Sequence, residues 1–298
     1  MGTFIEITAQ GTDAKKMNRA VEGAFAEIKR IERLMSEREK GSELSRINQN
    51  SGKKAVKVSQ EMLGVIIRSI HFSEISRGAF DISWAALAGL WDFDRKKSIP
   101  PKEKINNALK LVDYRNIAVD RKNSTVFLQV EGMRIGLGGI AKGYAVDRAI
   151  QVLQQEGIQD AIVNAGGDLR VIGEKDGQPW RVGIQDPREK DKLLGVLEIT
   201  DTSFASSGDY ERYFIKDGVR YHHILNPKTG FPAQGCRSVT IICPSALEAD
   251  ALATAVFVLG PAAGLKLIED LAGVETLIID HEGKIIMSEG MKEKIKLL

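Results

Sequence analysis

Asp250 and Thr254 lie four residues apart among small side chains, Ala249, Ala251, Ala253 and Ala255. On a helix the pair shares a face. A carboxylate and a hydroxyl with the bulk cleared around them suit a hard cation that takes oxygen ligands, and magnesium, which keeps waters and bridges to phosphates, needs few from the protein. The bland alternative has Asp250 capping or solvating an early helix turn. A second candidate is Gly136-Leu137-Gly138-Gly139-Ile140-Ala141-Lys142-Gly143, which reads as a strand-to-helix junction. Glycines let a ligand approach the backbone, and a helix start offers N–H groups to anionic oxygens. Lys142 adds a positive charge that a phosphate favours and the helix dipole opposes. The spacing matches neither the dinucleotide-binding nor the P-loop fingerprint, so a packing turn and a phosphate site stand level.

Two further stretches carry candidate chemistry. Asn164-Ala165-Gly166-Gly167-Asp168-Leu169-Arg170 is either a tight turn with Asp168 and Arg170 solvated, or a second glycine-rich bend of a shared ligand cleft. Tyr221-His222-His223-Ile224-Leu225-Asn226-Pro227 holds adjacent histidines, which in a strand point to opposite faces, so at most one lines a given cleft. A cleft histidine near its ordinary pKa accepts protons at neutral pH. The alternative is a histidine that only makes hydrogen bonds ahead of the Asn-Pro turn.

The elements that must hold these residues follow from periodicity. Residues 1–8 alternate as a strand. Asp13 caps a long amphipathic helix whose stripe is Met17, Val21, Ala24, Ile28, Ile31 and Met35. A polar loop is expected over 37–50, a helix over 60–76 ended by Gly78, and two strands in 123–137 joined at Glu131-Gly132. The glycine cluster opens a helix over 140–155. Short strands and turns fill 161–215, helices cover 247–259 and 262–271, and two strands close the chain at 275–279 and 284–287. Strands and helices alternate too irregularly for a doubly wound sheet. An α+β architecture is expected, with mixed, largely antiparallel sheets and flanking helices forming two lobes around a ligand cleft. Residues 1–298 are expected to form one domain with no clear linker.

Bulk properties narrow the function. The 42 basic and 40 acidic residues nearly cancel, so nucleic acid is not an expected partner. Cys236 and Cys243 make no disulfide framework, and each is expected to be a small buried apolar residue. No apolar run reaches the ~18 residues of a membrane-spanning helix. No signal peptide is visible. Because the strand pattern starts at once, as if inside the domain, a leader or anchor is expected to have preceded it.

Taken in order, the motifs resemble those of the ApbE family of FAD:protein FMN transferases. The resemblance runs through Met1-Gly2-Thr3, Met35-Ser36, Ser42-Glu43-Leu44-Ser45-Arg46, Gly78-Ala79-Phe80-Asp81, the 138–143 turn, 164–170, Ser207-Gly208-Asp209-Tyr210-Glu211-Arg212, 223–230 and 249–255. It implies an ApbE-like fold and an FAD site along Met1, Ala79, Phe80, Asp81, Lys142 and the backbone near Ile224. It also implies Mg2+ held by Asp250, Thr254 and the Gly139 carbonyl, and a catalytic His223. Two FAD-site positions depart from the family. Where relatives carry an aromatic residue over the flavin this chain has Arg38, whose guanidinium can stack on a ring. Where relatives carry an aspartate before the Leu-Gly-Gly turn it has Gly136, which removes one expected flavin contact. The implied reaction moves FMN from FAD to a Thr or Ser of an acceptor protein, such as a redox-pump subunit, and releases AMP. FAD pyrophosphatase activity giving FMN and AMP, and non-catalytic flavin binding, are the alternatives. The resemblance also implies an extracytoplasmic location, lipid-anchored in the full-length protein.

Overall fold

The computed structural model describes residues 2–95 and 97–298. After β1 (Ile5–Gln10), Asp13 caps α1 (Ala14–Met35), its carboxylate accepting from the N–H groups of Lys15 and Lys16. That satisfies donors a helix start leaves orphaned. The predicted stripe faces inward at Ala24, Ile28, Ile31 and Met35, while Met17 and Val21 are half-buried at its edge.

The segment 37–50, expected as a loop, contains α2 (Glu43–Gln49). Ser42 caps it, accepting from the Ser45 N–H at 2.9 Å, and buried Leu44 and Ile47 anchor it. Such a short polar helix is stabilised by its cap and its packing rather than by a long periodic stripe. Next come β2 (Val56–Lys57) and α3 (Gln60–Ile75), then Gly78, whose φ of 79° closes that helix as predicted. After α4 (Ala85–Ala88) and α5 (Lys102–Leu109), β3 (Ile117–Asp120) pairs with β4 (Thr125–Leu128). Only β4 of the two strands expected in 123–137 is found. Beyond the Glu131-Gly132 turn the chain makes no ladder, because a side chain takes the place of a neighbouring strand. The Asn48 amide donates to the Ile135 carbonyl at 2.9 Å and accepts from its N–H at 2.8 Å.

The rest of the chain supplies α6 (Ala141–Gln155), β5 (Asp160–Ala165), β6 (Asp168–Ile172), β7 (Trp180–Gln185) and β8 (Leu193–Ile199). It continues through β9 (Ser203–Gly208), β10 (Tyr213–Lys216), β11 (Val219–His222), β12 (Cys236–Cys243), α7 (Ala246–Leu259) and α8 (Pro261–Glu269). The last elements are β13 (Glu275–Asp280), β14 (Ile285–Met287), α9 (Glu289–Lys294) and β15 (Ile295–Leu297).

Seven strands form the main sheet in the order β1-β5-β6-β9-β12-β13-β14. Among the described residues its ladders are antiparallel. Alternation along each strand gives the sheet two apolar faces. Ala205, Ile241 and Ile278 pack with α1, α6 and α7, whereas Phe204, Ile242, Leu277 and Ile279 pack against the small sheet β15-β8-β7. A separate aromatic cluster gathers Trp91, Phe93, Phe214 and Leu225 around the β10–β11 ribbon, with Phe214 and Tyr221 stacked at 5.2 Å. The α+β architecture expected from the sequence is therefore present, and its ligand cleft lies between the main core and this cluster. Both cysteines are buried, and burial pushes their thiols up to about 12, so they act as small apolar residues as expected. Among the described residues no helix is long and apolar enough to cross a membrane.

Candidate active site

Eleven of the fourteen residues of α7 are buried, so the helix is enclosed nearly all round and Asp250 is 3 % exposed. A carboxylate in that position needs protein partners. Its Oδ2 accepts from the Gly143 N–H at 3.1 Å and its Oδ1 from Lys142 Nζ at 3.3 Å. Asp250 neither caps nor solvates the helix. The cap is Ser245, reinforced by Asp147 of α6, whose carboxylate accepts from Ser245 Oγ at 2.8 Å and from the N–H groups of Ala246 and Leu247 at 3.0 Å.

Lys142 also pairs with Asp168. Burial opposes its charge, but the carboxylates of Asp168 and Asp250 prevail and hold the amine above the usual lysine range. Burial first, then the charge on Asp250, pushes the Asp168 carboxyl up. Solvation of Asp168 is thus overturned: it is 2 % exposed and ion-paired. Arg170 likewise pairs with Asp147 at 2.7 Å. The tight turn itself is present. Gly166 and Gly167 both have positive φ, 63° and 95°, which suits the two-residue connection between β5 and β6.

Two glycines of the cluster hold close approaches. A Cβ on Gly143 would lie 2.0 Å from the Ala246 carbonyl oxygen, so this glycine lets α6 cross α7 closely. A Cβ on Gly139 would lie 3.2 Å from Thr254 Oγ1 and 3.3 Å from the Phe80 ring, so this one brings backbone to the hydroxyl. The helix start offers less to an anion than its position suggests, because the N–H groups of Ala141 and Gly143 already donate to Leu137 and Asp250.

Asp250, Thr254, the Gly139 backbone and Ser207, whose Oγ is 3.4 Å from Thr254 Oγ1, present only oxygen donors beside two carboxylates that share one ammonium. That set fits a hard cation such as magnesium. No cluster of three or more His, Cys, Asp or Glu able to hold a metal occurs among the described residues. A cation here would complete its shell with substrate oxygens and water.

His223 follows β11 at the cleft wall. Its Nδ1 is buried without a partner among the described residues, and its backbone N–H donates to the Arg212 carbonyl at 3.0 Å. Burial, and after it the positive neighbours His222, Arg212 and Lys142, lowers its pKa to about 4. The imidazole is therefore neutral at pH 7 and able to accept a proton. His222 turns the other way. It bonds the Ala233 carbonyl at 2.9 Å and packs edge-on against Phe257.

One cleft of about 750 Å³ collects Arg38, Ala79, Phe80, Asp81, Gly136, Gly139, Lys142, His223, Ile224, Asp250 and Thr254. Met1 lies outside the described residues; Gly2 and Thr3 line the same cleft. Asp81 contributes mainly as a brace, since its Oδ1 accepts from Ser83 and its Oδ2 from the Tyr114 N–H at 3.0 Å. Burial raises its carboxyl against those bonds. Trp84, Glu37, Ser206 and Asp94 also line the cleft and carried no sequence signal of their own. Arg212, within the 207–212 motif, reaches over to Asp94 at 2.5 Å.

The model of the family described as "ApbE family" matches residues 1–278. The chain belongs to the ApbE family. Among its relatives is the FAD:protein FMN transferase of Treponema pallidum, 35% identical over 303 residues, covering 96% of this chain and 83% of that protein. The Escherichia coli K12 protein of the same name is 32% identical, covering 95% and 83%. Among solved ApbE structures, the Thermotoga maritima ApbE protein superposes with a TM-score of 0.89 at 39% identity, covering 98% of this chain and 96% of that one. The flavin transferase ApbE of Vibrio cholerae gives 0.87 at 31%, covering 99% and 96%. The cleft described above is thus set in an ApbE fold from end to end.

Proposed function

We propose that this chain transfers FMN from FAD to a Thr or Ser hydroxyl of an acceptor protein, using Mg2+ and releasing AMP. Relatives named FAD:protein FMN transferases support the reaction class. The observation that carries the finer reading is the meeting, in one cleft, of the Asp250–Thr254 oxygens, the Lys142 ammonium and the neutral imidazole of His223. Asp250, Thr254 and the Gly139 backbone hold the cation, which when bound neutralises charge on the pyrophosphate. Lys142 is pinned between Asp168 and Asp250, so its charge is positioned before any phosphate arrives. His223 takes the proton from the acceptor hydroxyl. The hydroxyl oxygen bonds to the phosphorus on the FMN side, the bond to the AMP oxygen breaks, and AMP leaves with that electron pair. Positioning and charge supply most of the acceleration, because the enzyme forms no covalent bond itself. On the family resemblance we place the reaction outside the cytoplasm, with a redox-pump subunit as one such acceptor.

The deciding experiment incubates the protein with FAD, Mg2+ and an acceptor carrying a Ser/Thr-Gly-Ala-Thr-like segment, followed by intact-protein mass spectrometry. A covalent FMN increment is expected on the acceptor, with stoichiometric AMP. Free FMN without labelling would convert the reading to a pyrophosphatase, and unconsumed FAD would reduce it to flavin binding.

A further inference from the structure

We propose that Glu37 is a positioning residue for the ring end of the ligand: its carboxyl, set in the slot a side chain at position 136 would fill, accepts a hydrogen bond from the N–H edge of a flat heterocycle. The inference rests on the reading of the cleft as an FAD site.

A Cβ on Gly136 would lie 2.6 Å from Glu37 Oε1 and 3.0 Å from the Ala85 Cβ. Gly136 is not among the residues with positive φ, so its backbone would admit a side chain. A side chain at 136 would meet the Glu37 carboxyl and the Ala85 methyl, so positions 37 and 136 open on one slot. The floor of that slot is fixed. The Gly136 N–H donates to the Ile82 carbonyl at 2.8 Å, and the neighbouring Ile135 is clamped by Asn48.

Glu37 is fixed too. Arg134 holds its Oε2 at 3.2 Å, and Oε1 is turned to the Gly136 side of the cleft. Burial pushes its carboxyl up against the pull of Arg134. A half-buried acceptor of this kind gains from a ligand N–H. The surroundings point to a flat ring. The Trp84 indole passes 3.8 Å from the Cβ position of Gly138, and Arg38 lines the same cleft. Three residues further on, Gly139 meets Thr254 at the cation end. Three residues span at most about 10 Å. That is the reach of a ring, a sugar or ribityl chain and a phosphate, so the ligand lies with its ring over Gly136 and its phosphates at Thr254. The isoalloxazine imide and the adenine amino group share the N–H chemistry required.

The test measures FAD binding by fluorescence with Mg2+ in excess, for the full chain and its variants. Glu37→Ala is expected to weaken FAD at least about tenfold, and Glu37→Gln, which keeps an acceptor oxygen, to stay within about threefold of wild type. Gly136→Asp alone should weaken binding, because two side chains then compete for the slot. In the Glu37→Ala background the same change should recover most of the loss, which a merely structural role for Glu37 does not predict. Competition by FMN and by AMP identifies the ring, the affected ligand being the one whose affinity falls in Glu37→Ala. Unchanged FAD affinity in Glu37→Ala overturns the proposal, as does a double variant no better than Glu37→Ala alone. Wild-type protein that binds no FAD overturns the functional reading together with this one, and is recognised before any variant is made.

Discussion

At the scale of single residues, burial sets the protonation of His223, while Asp250 is held by the Gly143 N–H and Lys142. The lowered pKa of His223, about 4, means that the free enzyme keeps this imidazole unprotonated where an ordinary histidine, near 6.5, is half charged. The acid limb of kcat/KM is therefore expected below pH 6.5. A limb at or above 6.5 that vanishes in His223→Ala would contradict the assigned environment. The linkage to stability has the same sign. The unfolded chain binds the proton first, so the stability tied to a neutral His223 is complete above about pH 6.5 and is lost as pH falls toward about 4. For Asp250→Ala, AMP release from FAD is expected to fall by roughly two to three orders of magnitude at limiting Mg2+. The variant also leaves the Gly143 N–H without its carboxylate and Lys142 with Asp168 alone. An unaltered Mg2+ titration in Asp250→Ala would remove this residue from the metal site. Both residues stood out in the sequence by type and spacing. Their environments did not, since burial and Lys142 reach them from other elements.

At the scale of elements, the crossing of α6 and α7 sets the site. Gly143 on α6 lies against the Ala246 carbonyl, and Asp147, one turn further along α6, caps the start of α7. Gly143→Ala forces a methyl into backbone atoms, so the helices must separate at a cost of about 1–3 kcal/mol. The denaturation midpoint should drop with an unchanged m-value. FAD affinity should drop with it, because Lys142 and Asp250 move with their helices. Full stability in this variant would mean that the two helices have room for a methyl between them. The sequence presented Gly139 and Gly143 as one glycine-rich run. Only the crossing shows that the first serves approach to Thr254 and the second serves packing.

At the scale of the molecule, the cleft lies between the main core and the aromatic cluster around β10–β11, with Arg212 and Asp94 paired at its rim. A ligand that touches both sides binds the folded state alone. FAD with Mg2+ at a hundred times Kd is therefore expected to stabilise the protein by about 2.7 kcal/mol, read as a concentration-dependent rise in Tm. The part of that rise that depends on Mg2+ should be missing in Asp250→Ala. An FAD-independent Tm would place the ligand elsewhere.

Local periodicity and end signals were enough to locate α1, α3, α6 and α7, and the Asp250–Thr254 pair with them, because each depends on residues within a few turns of chain. Alternation marked β1, and β13 and β14 were bounded as closing strands, whereas β12 (Cys236–Cys243), apolar on both faces, carried no alternation and was missed. The remaining features depend on contacts between residues far apart in the chain. Asn48 stands in for a strand beside Ile135, Asp147 caps a helix some hundred positions away, and β15 exists because β8 offers an edge. Whether Asp168 is solvated or buried, which histidine faces the cleft, and that Glu37 occupies the slot over Gly136 were likewise settled in three dimensions. Burial and charge at these positions come from neighbours that the chain brings near only by folding.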